Sequence, residues 1–152
     1  MESLLLHNHN VSSLISPGPE CGNQFKFNQN SGQIIFPSNY SMNYTSNTFC
    51  EWTIEVSPNF GVQAYFDDLD IEEDKKCFND RIIFHDGKDS SAPELGRTCG
   101  QKKILVKTTS YFLTVVFLTD TTVGGSGFKV NWTLSQGLEK RKLFSLWCYI
   151  LM

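Results

Sequence analysis

Acidic side chains are concentrated in one short stretch of the chain, from Asp67 to Asp80. This stretch holds seven of the sixteen acidic residues, and Cys77 stands three positions before its last carboxylate. Clustered carboxylates are the usual protein ligands of Ca²⁺, which takes roughly six to eight hard oxygen atoms. An EF-hand loop starting at Asp68 is excluded, because Glu73 would replace the required glycine and Asn79 the final glutamate. Calcium ligands must therefore come from separate loops.

Three of the carboxylates lie at the ends of predicted strands: Glu72, Asp80 and Asp120. Strand ends of a β-sandwich cluster at one edge, so we expect these three to converge if their strands are neighbours. The alternative is a solvated acidic rim in which Asp80 hydrogen-bonds its own loop. The remaining acids of the stretch are interpreted as exposed solvating charge: Asp67, Asp68, Asp70, Glu73 and Asp74.

The sequence contains no recognisable set of catalytic residues. The histidines are His7, His9 and His85, and His85 is interpreted as a solvated histidine beside an Asp-Gly turn. The chain contains no G-x-S-x-G, H-E-x-x-H or glycine-rich phosphate-binding motif. We therefore predict that this chain is not an enzyme.

The length and charge of the chain limit its class. Its 152 residues, 40% of them hydrophobic, are enough for one core and one domain. The formal net charge of −3 offers no basic field for phosphates, which argues against a nucleic-acid partner.

Five cysteines are present, at positions 21, 50, 77, 99 and 148. They lack the C-x-x-C spacing of zinc and redox sites, so a disulfide framework is favoured, with three possible pairings of the first four. Cys148 stands apart as an unpaired thiol or a link to another chain. Disulfides are typical of extracellular proteins, so we predict an extracellular, secreted location.

N-glycosylation acceptor triplets agree with that location. Asn39 and Asn43 lie in a polar, turn-rich run, and Asn131 lies between the apolar residues Val130 and Trp132. If both apolar side chains point into the core, Asn131 points outward and is free to carry a glycan. We predict glycosylation at these three asparagines, whereas Asn10 lies in the leader.

The two ends of the chain are expected to lie outside the domain. Residues 1–20 form an atypical, disordered leader in which no secretion signal is visible, because three leucines fall short of the required apolar run. Residues 135–152 form an atypical tail. Its ten residues after the basic triplet are fewer than the ~20 that a membrane-spanning helix needs.

Between the ends, apolar and polar residues alternate with the period of two that is typical of half-buried strands. Trp52 and Trp132 are core residues on this spacing. No window shows the periodicity of an amphipathic helix, and short strands separated by turns predict an all-β, antiparallel β-sandwich. The predicted inward residues are Trp52, Ile54, Val56, Ile82, Phe84, Leu113, Val115, Phe117, Phe128, Val130, Trp132 and Leu134.

The order of several motifs resembles that of a CUB domain, an extracellular β-sandwich module with a jelly-roll-like fold. The motifs span residues 21–134, about three quarters of the chain. They are "CG" at 21–22, "GQIIFPSNYSMNY" at 32–44, "CEWTIEV" from Cys50, "CFNDRIIFHDG" from Cys77, "LGRTCG" ending at Gly100, and "FLTD" followed by "GSGF" at 125–128.

The resemblance extends to calcium-binding members of the family, as in complement and tolloid-like proteases. It implies that Glu72, Asp80 and Asp120 are calcium ligands and that the Tyr44 hydroxyl supports them by hydrogen bonding. Where many members have an S-N pair, this chain has Thr122 and Val123: the first still offers its carbonyl oxygen, but Val123 offers no side-chain ligand.

The same family pattern implies two disulfides, one joining Cys21 to Cys50 and the other joining Cys77 to Cys99. Each would stabilise the fold by very roughly 3 to 4 kcal/mol through loop entropy.

The resemblance implies a non-catalytic module that binds exposed lysine side chains of an extracellular protein partner in a calcium-dependent way. Two other functions stay open. The chain could be an accessory region of a larger secreted protease or receptor, or a calcium-free, spermadhesin-like module for adhesion or glycan binding. A module within a larger multidomain protein is expected.

Overall fold

The computed structural model describes residues 21, 25–40, 42–122 and 124–137. The expected leader, most of the expected tail, Cys148 and Val123 lie outside these ranges. Nine strands and no α-helix occupy the described residues: β1 Lys26–Asn28, β2 Ser31–Phe36, β3 Phe49–Glu55, β4 Phe60–Asp70, β5 Arg81–His85, β6 Glu94–Thr98, β7 Leu105–Lys107, β8 Phe112–Leu118 and β9 Gly127–Gly137.

The strands form two sheets. One has the order β1-β3-β8-β5-β6 and the other the order β2-β9-β4-β7. Every pairing is antiparallel except that of β1 with β3. The predicted all-β sandwich is confirmed.

The core lies between the sheets, where the inward residues of both meet. Trp52 and Trp132 are buried as predicted. Aromatic rings fill the centre: the Phe36 ring centroid lies 4.7 Å from that of Phe117 and 5.5 Å from that of Phe128. Gly32 of β2 is required opposite Trp132 of β9, because a Cβ atom there would collide with the Trp132 ring.

Two strands, β4 and β9, are longer than the sequence predicted. β4 continues through Asp67 and Asp68 to Asp70, because its C-terminal half pairs with β9 as far as Gly127. The predicted boundary between the domain and the tail, at residue 135, is also too early. β9 runs to Gly137, because Ser135 is buried and Gly137 pairs with Phe60.

Both predicted disulfides are present. Cys21 is bonded to Cys50 and ties the start of the domain to β3. Cys77 is bonded to Cys99 and ties the loop after β4 to the residue that follows β6. In the described part of the chain, no helix is long and apolar enough to span a membrane.

Candidate metal centre

Loops at one end of the sandwich carry the predicted ligands. Glu72 follows the end of β4, Asp80 immediately precedes β5, and Asp120 lies two residues beyond β8. Because β5 and β8 are antiparallel neighbours with Arg81 opposite Leu118, the start of β5 meets the end of β8. The topology therefore places Asp80 beside Asp120.

The three carboxylates form one cluster. One ligand oxygen from each of Glu72, Asp80 and Asp120 lies within 4.8 Å of the other two. Asp80 is fully buried, whereas the other two are partly exposed. Among the described residues, Glu72 Oε2 is the buried side-chain oxygen or nitrogen without a hydrogen-bond partner. This oxygen is therefore available to bind a cation.

The two oxygens of Asp80 have different partners. Oδ2 accepts a 2.5 Å hydrogen bond from the Tyr44 hydroxyl, and Oδ1 accepts a 2.9 Å hydrogen bond from the main-chain N–H of Asp120. These bonds hold the carboxylate in one orientation between the β2–β3 loop and the end of β8. Asp80 is thus fixed before any ligand binds.

Tyr44 joins two members of the cluster. Its hydroxyl donates to Asp80 and accepts a 3.0 Å hydrogen bond from the Glu72 N–H. Its ring is fully buried, edge-on to Phe117 at 5.2 Å between centroids. Burial, and then the hydrogen bond to Asp80, raise the pKa of Tyr44 far above its ordinary value, so its hydroxyl remains a donor.

The environment of the cluster disfavours ionisation of the Glu72 carboxyl group. Desolvation raises its pKa, and the negative charges of Asp120 and Asp80 raise it further. Both effects disfavour a third carboxylate anion at this point. A bound divalent cation would remove that penalty, since it attracts all three charges at once.

The glycine-rich loop before β9 closes over the cluster. A Cβ atom on Gly124 would lie 2.8 Å from Glu72 Cβ and 2.9 Å from Tyr44 Oη. Asp70 anchors this loop by accepting hydrogen bonds from the N–H and hydroxyl of Ser126. Gly124 was missed in the sequence because only the tertiary packing shows what lies against it.

The segment after Asp120 folds back onto it. Both the N–H and the hydroxyl of Thr122 donate 2.8 Å hydrogen bonds to Asp120 Oδ1. Thr122, predicted to offer its carbonyl oxygen, therefore lies next to the cluster, whereas Val123 is outside the described residues. The N–H of Asn47 donates to the Asp120 carbonyl at 2.7 Å, which secures the β2–β3 loop beside it.

The other acids of the stretch are not all solvating charge, which corrects that interpretation. Asp74 accepts main-chain N–H bonds from Lys76, Phe78 and Asn79 and so closes the loop between Glu72 and Asp80. An aspartate at the start of a turn is a local feature that can be recognised from the sequence. Asp68 accepts a 2.6 Å bond from the Tyr40 hydroxyl, and Asp70 anchors Ser126.

The chemistry of the cluster selects the kind of ion. Within the described residues it offers carboxylate oxygens and no imidazole or thiolate. Such hard donors suit Ca²⁺ or Mg²⁺ rather than zinc or copper. The residues present fit the calcium ion that the sequence predicted.

The predicted glycosylation sites are on the surface. Asn39 and Asn43 are exposed in the β2–β3 loop. Asn131 lies on β9 between the buried residues Val130 and Trp132, and its Oδ1 accepts a 2.8 Å hydrogen bond from Gln33 Nε2.

Solved structures share this fold. Superposition on the CUB1-EGF-CUB2 domains of rat MASP-1 gives a TM-score of 0.64 at 22% identity, covering 74% of this chain and 43% of that chain. A structure of the MASP-1 CUB2 domain bound to Ca²⁺ gives a TM-score of 0.62 at 26% identity, covering 71% of this chain and 96% of that chain.

Sequence comparison agrees with the structural comparison. Human tolloid-like protein 2 is 32% identical over 116 residues, a match that covers 75% of this chain but 11% of the relative. The chain thus spans about a tenth of the length of that relative. The family model for the CUB domain matches residues 21–132. The chain belongs to the CUB domain family.

Proposed function

We propose that this CUB domain is an extracellular protein-binding module. It binds Ca²⁺ through Glu72, Asp80 and Asp120, and its acidic edge then binds lysine side chains of a partner protein. The observation that carries the proposal is the buried Glu72 Oε2, which has no hydrogen-bond partner and belongs to a cluster of three carboxylates within 4.8 Å. The Thr122 carbonyl is the fourth protein ligand in this proposal.

Preorganisation supports a binding site over a solvated rim. Asp80 is fully buried and accepts bonds from Tyr44 and from the Asp120 main chain. A solvated rim needs neither burial nor a shared tyrosine. Carboxylate oxygens held in place before the ion arrives lose little conformational entropy on binding it.

The lysine preference follows from charge. Three carboxylates around one divalent cation leave a formal charge of −1. The side chains of Asp74 and Glu73 add negative charge in the adjacent loop. A lysine ammonium is a compact point charge, so it suits a small acidic site better than the broad, planar arginine guanidinium.

An extracellular location is part of the proposal. Two disulfides lie within the domain, and such bonds persist in oxidising compartments. The relative reported above is much longer than this chain, which supports a module that works within a larger protein.

Affinity chromatography tests the proposal. The chain is passed over an immobilised lysine-containing peptide in Ca²⁺, and then in a calcium chelator. We expect retention in Ca²⁺, elution by chelator and no retention on the N-acetyl-lysine version of the peptide. Asp120→Asn should abolish retention, whereas Asp89→Asn, at the opposite end of β5, should not. Equal retention on both peptides, or retention that chelator leaves unchanged, would refute the lysine proposal.

A further inference from the structure

One row of residues crosses the outer face of the β2-β9-β4-β7 sheet. Gln33 pairs with Asn131, Asn131 with Tyr65, and Tyr65 with Leu105, so the row takes one residue from each strand. Tyr65 is 43% exposed and Leu105 is 56% exposed. The row therefore places Asn131 next to Tyr65 and one strand away from Leu105, two side chains with exposed apolar surface.

The Asn131 amide has a defined orientation. Its Oδ1 accepts a 2.8 Å hydrogen bond from Gln33 Nε2, on the β2 side. Oδ1 and Nδ2 are the two branches of a planar amide, and β9 lies between β2 and β4. The bond to Gln33 holds Oδ1 on the β2 side, and Tyr65 of β4 is the cross-strand neighbour on the other side of β9.

We propose that Asn131 carries an N-linked glycan whose first sugars lie over Tyr65 and Leu105. Thr133 completes the acceptor triplet on the same outward face. A sugar presents polarised C–H groups that pack against the electron-rich face of an aromatic ring. Adjacent strands are ~4.8 Å apart, so Tyr65 and Leu105 lie within roughly 10 Å of the attachment point.

The covalent step is an ordinary group transfer. A lipid-linked oligosaccharide diphosphate supplies the sugar: a bond forms between Asn131 Nδ2 and C1 of the sugar, and the bond from C1 to the diphosphate oxygen breaks. One amide proton is released and the lipid diphosphate departs. The amide carbonyl is unchanged, so Oδ1 still accepts from Gln33 after modification.

The glycan covers the exposed apolar side chains of Tyr65 and Leu105. Tyr65 and Leu105 lie on adjacent strands and are cross-strand neighbours, so together they form the apolar part of this face. An exposed apolar sheet face favours association between chains. A glycan on the central strand prevents such contact and leaves the loop end of the sandwich free.

Peptide mass spectrometry and hydroxyl-radical footprinting test the proposal. The full chain is directed through the secretory pathway of cultured animal cells and digested with a protease, and the glycans are then removed with a peptide N-glycanase, which hydrolyses the asparagine amide bond, in heavy-oxygen water. We expect Asn131 to be converted to heavy aspartate. Thr133→Ala should lose the glycan and Thr133→Ser should keep it. An unmodified Asn131 in the secreted wild-type chain would overturn the proposal.

Footprinting tests where the sugars lie. Labelling of Tyr65 and Leu105 should be severalfold lower in the glycosylated chain than in Thr133→Ala, with Phe78 as the unchanged control. Asn131→Gln, or wild-type protein trimmed to one sugar after folding, provides the comparison if Thr133→Ala fails to fold. Equal labelling with and without the glycan would overturn the placement. Protection in the unglycosylated chain that grows with protein concentration would instead assign this face to a second copy.

Discussion

The Tyr44 hydroxyl donates a 2.5 Å hydrogen bond to Asp80 Oδ2 at the loop end of the sandwich. The same hydroxyl accepts the main-chain N–H of Glu72. Tyr44 is fully buried, so this bond links the acidic end to the aromatic core. The position of the candidate ligands therefore depends on core packing as well as on loop sequence.

Removing that hydroxyl should weaken calcium binding. We expect Tyr44→Phe to lower the affinity for Ca²⁺ by roughly tenfold to hundredfold, because supporting partners orient metal ligands. The free energy of unfolding should fall by about 1–3 kcal/mol, since Asp80 loses a buried donor. Calorimetric titration and chemical denaturation measure the two effects. Tyr65→Phe, on an exposed tyrosine, is the matched control, and wild-type affinity in Tyr44→Phe would contradict the supporting role.

Gly124 should tolerate no side chain. In Gly124→Ala the new methyl group would lie 2.8 Å from Glu72 Cβ, so the loop must shift. We expect weaker calcium binding and a stability loss of about 1–3 kcal/mol from overpacking. In the control Gly96→Ala, the methyl group would lie 3.6 Å from Ile104 Cδ1, an ordinary contact. Equal calcium affinities for the two variants would show that the Gly124 loop does not shape the site.

The two disulfides should differ in their effect on the site. Replacing Cys77 and Cys99 with alanine should cost about 3 kcal/mol of stability, and also calcium affinity, because Cys77 lies in the loop between Glu72 and Asp80. Replacing Cys21 and Cys50 should cost similar stability but leave the affinity of the folded fraction unchanged. Thermal unfolding and calcium titration of both double variants provide the test. Unchanged calcium affinity in the folded Cys77/Cys99 variant would contradict this role.

Asp86, at the opposite end of β5, should make stability depend on pH. Burial raises its pKa, but hydrogen bonds from the side chains and main chain of Thr109 and Ser110 outweigh burial and lower the pKa below its ordinary value. A lowered pKa stabilises the folded state above the unfolded value, and this stability is lost as pH falls through the folded value.

The corresponding variant is Asp86→Asn. We expect it to lose about 2 kcal/mol at pH 7, since hydrogen bonds to a charged group are lost. The difference from wild type should shrink below about pH 4, where the unfolded wild-type carboxyl takes up its proton. Urea unfolding at several pH values measures this trend. A difference that stayed constant down to pH 3 would contradict it.

Alternation in the sequence was sufficient to predict β3, which buries every second residue. The same pattern predicted β8 from Leu113, Val115 and Phe117, but β8 also buries Thr114 and Val116 between them, because neighbouring strands flank it on both sides. β6 was not predictable in this way. Of its residues Glu94–Thr98, only Thr98 is buried, and Arg97 and Glu94 form an ion pair, so pairing with β5 decides its structure. Residues 21–132 form a CUB domain, which is a non-catalytic module, as the sequence predicted.

The candidate site was predictable to a similar degree. Strand ends predicted which carboxylates meet, and the family resemblance added Tyr44. The contribution of Asp74 was overlooked, although its turn signal is local. Gly124 could not be found, because its importance depends on the packing of Glu72 and Tyr44 against a distant loop.

Isothermal titration of Ca²⁺ into the purified chain tests the central claim most directly. The titration is repeated with Glu72→Gln and Asp120→Asn, and with Asp89→Asn as the charge-matched control. We predict one calcium ion per wild-type chain, loss of binding in the first two variants and wild-type binding in the control. No heat of binding in the wild type, or equal binding in all four proteins, would contradict the assignment of Glu72, Asp80 and Asp120 as calcium ligands.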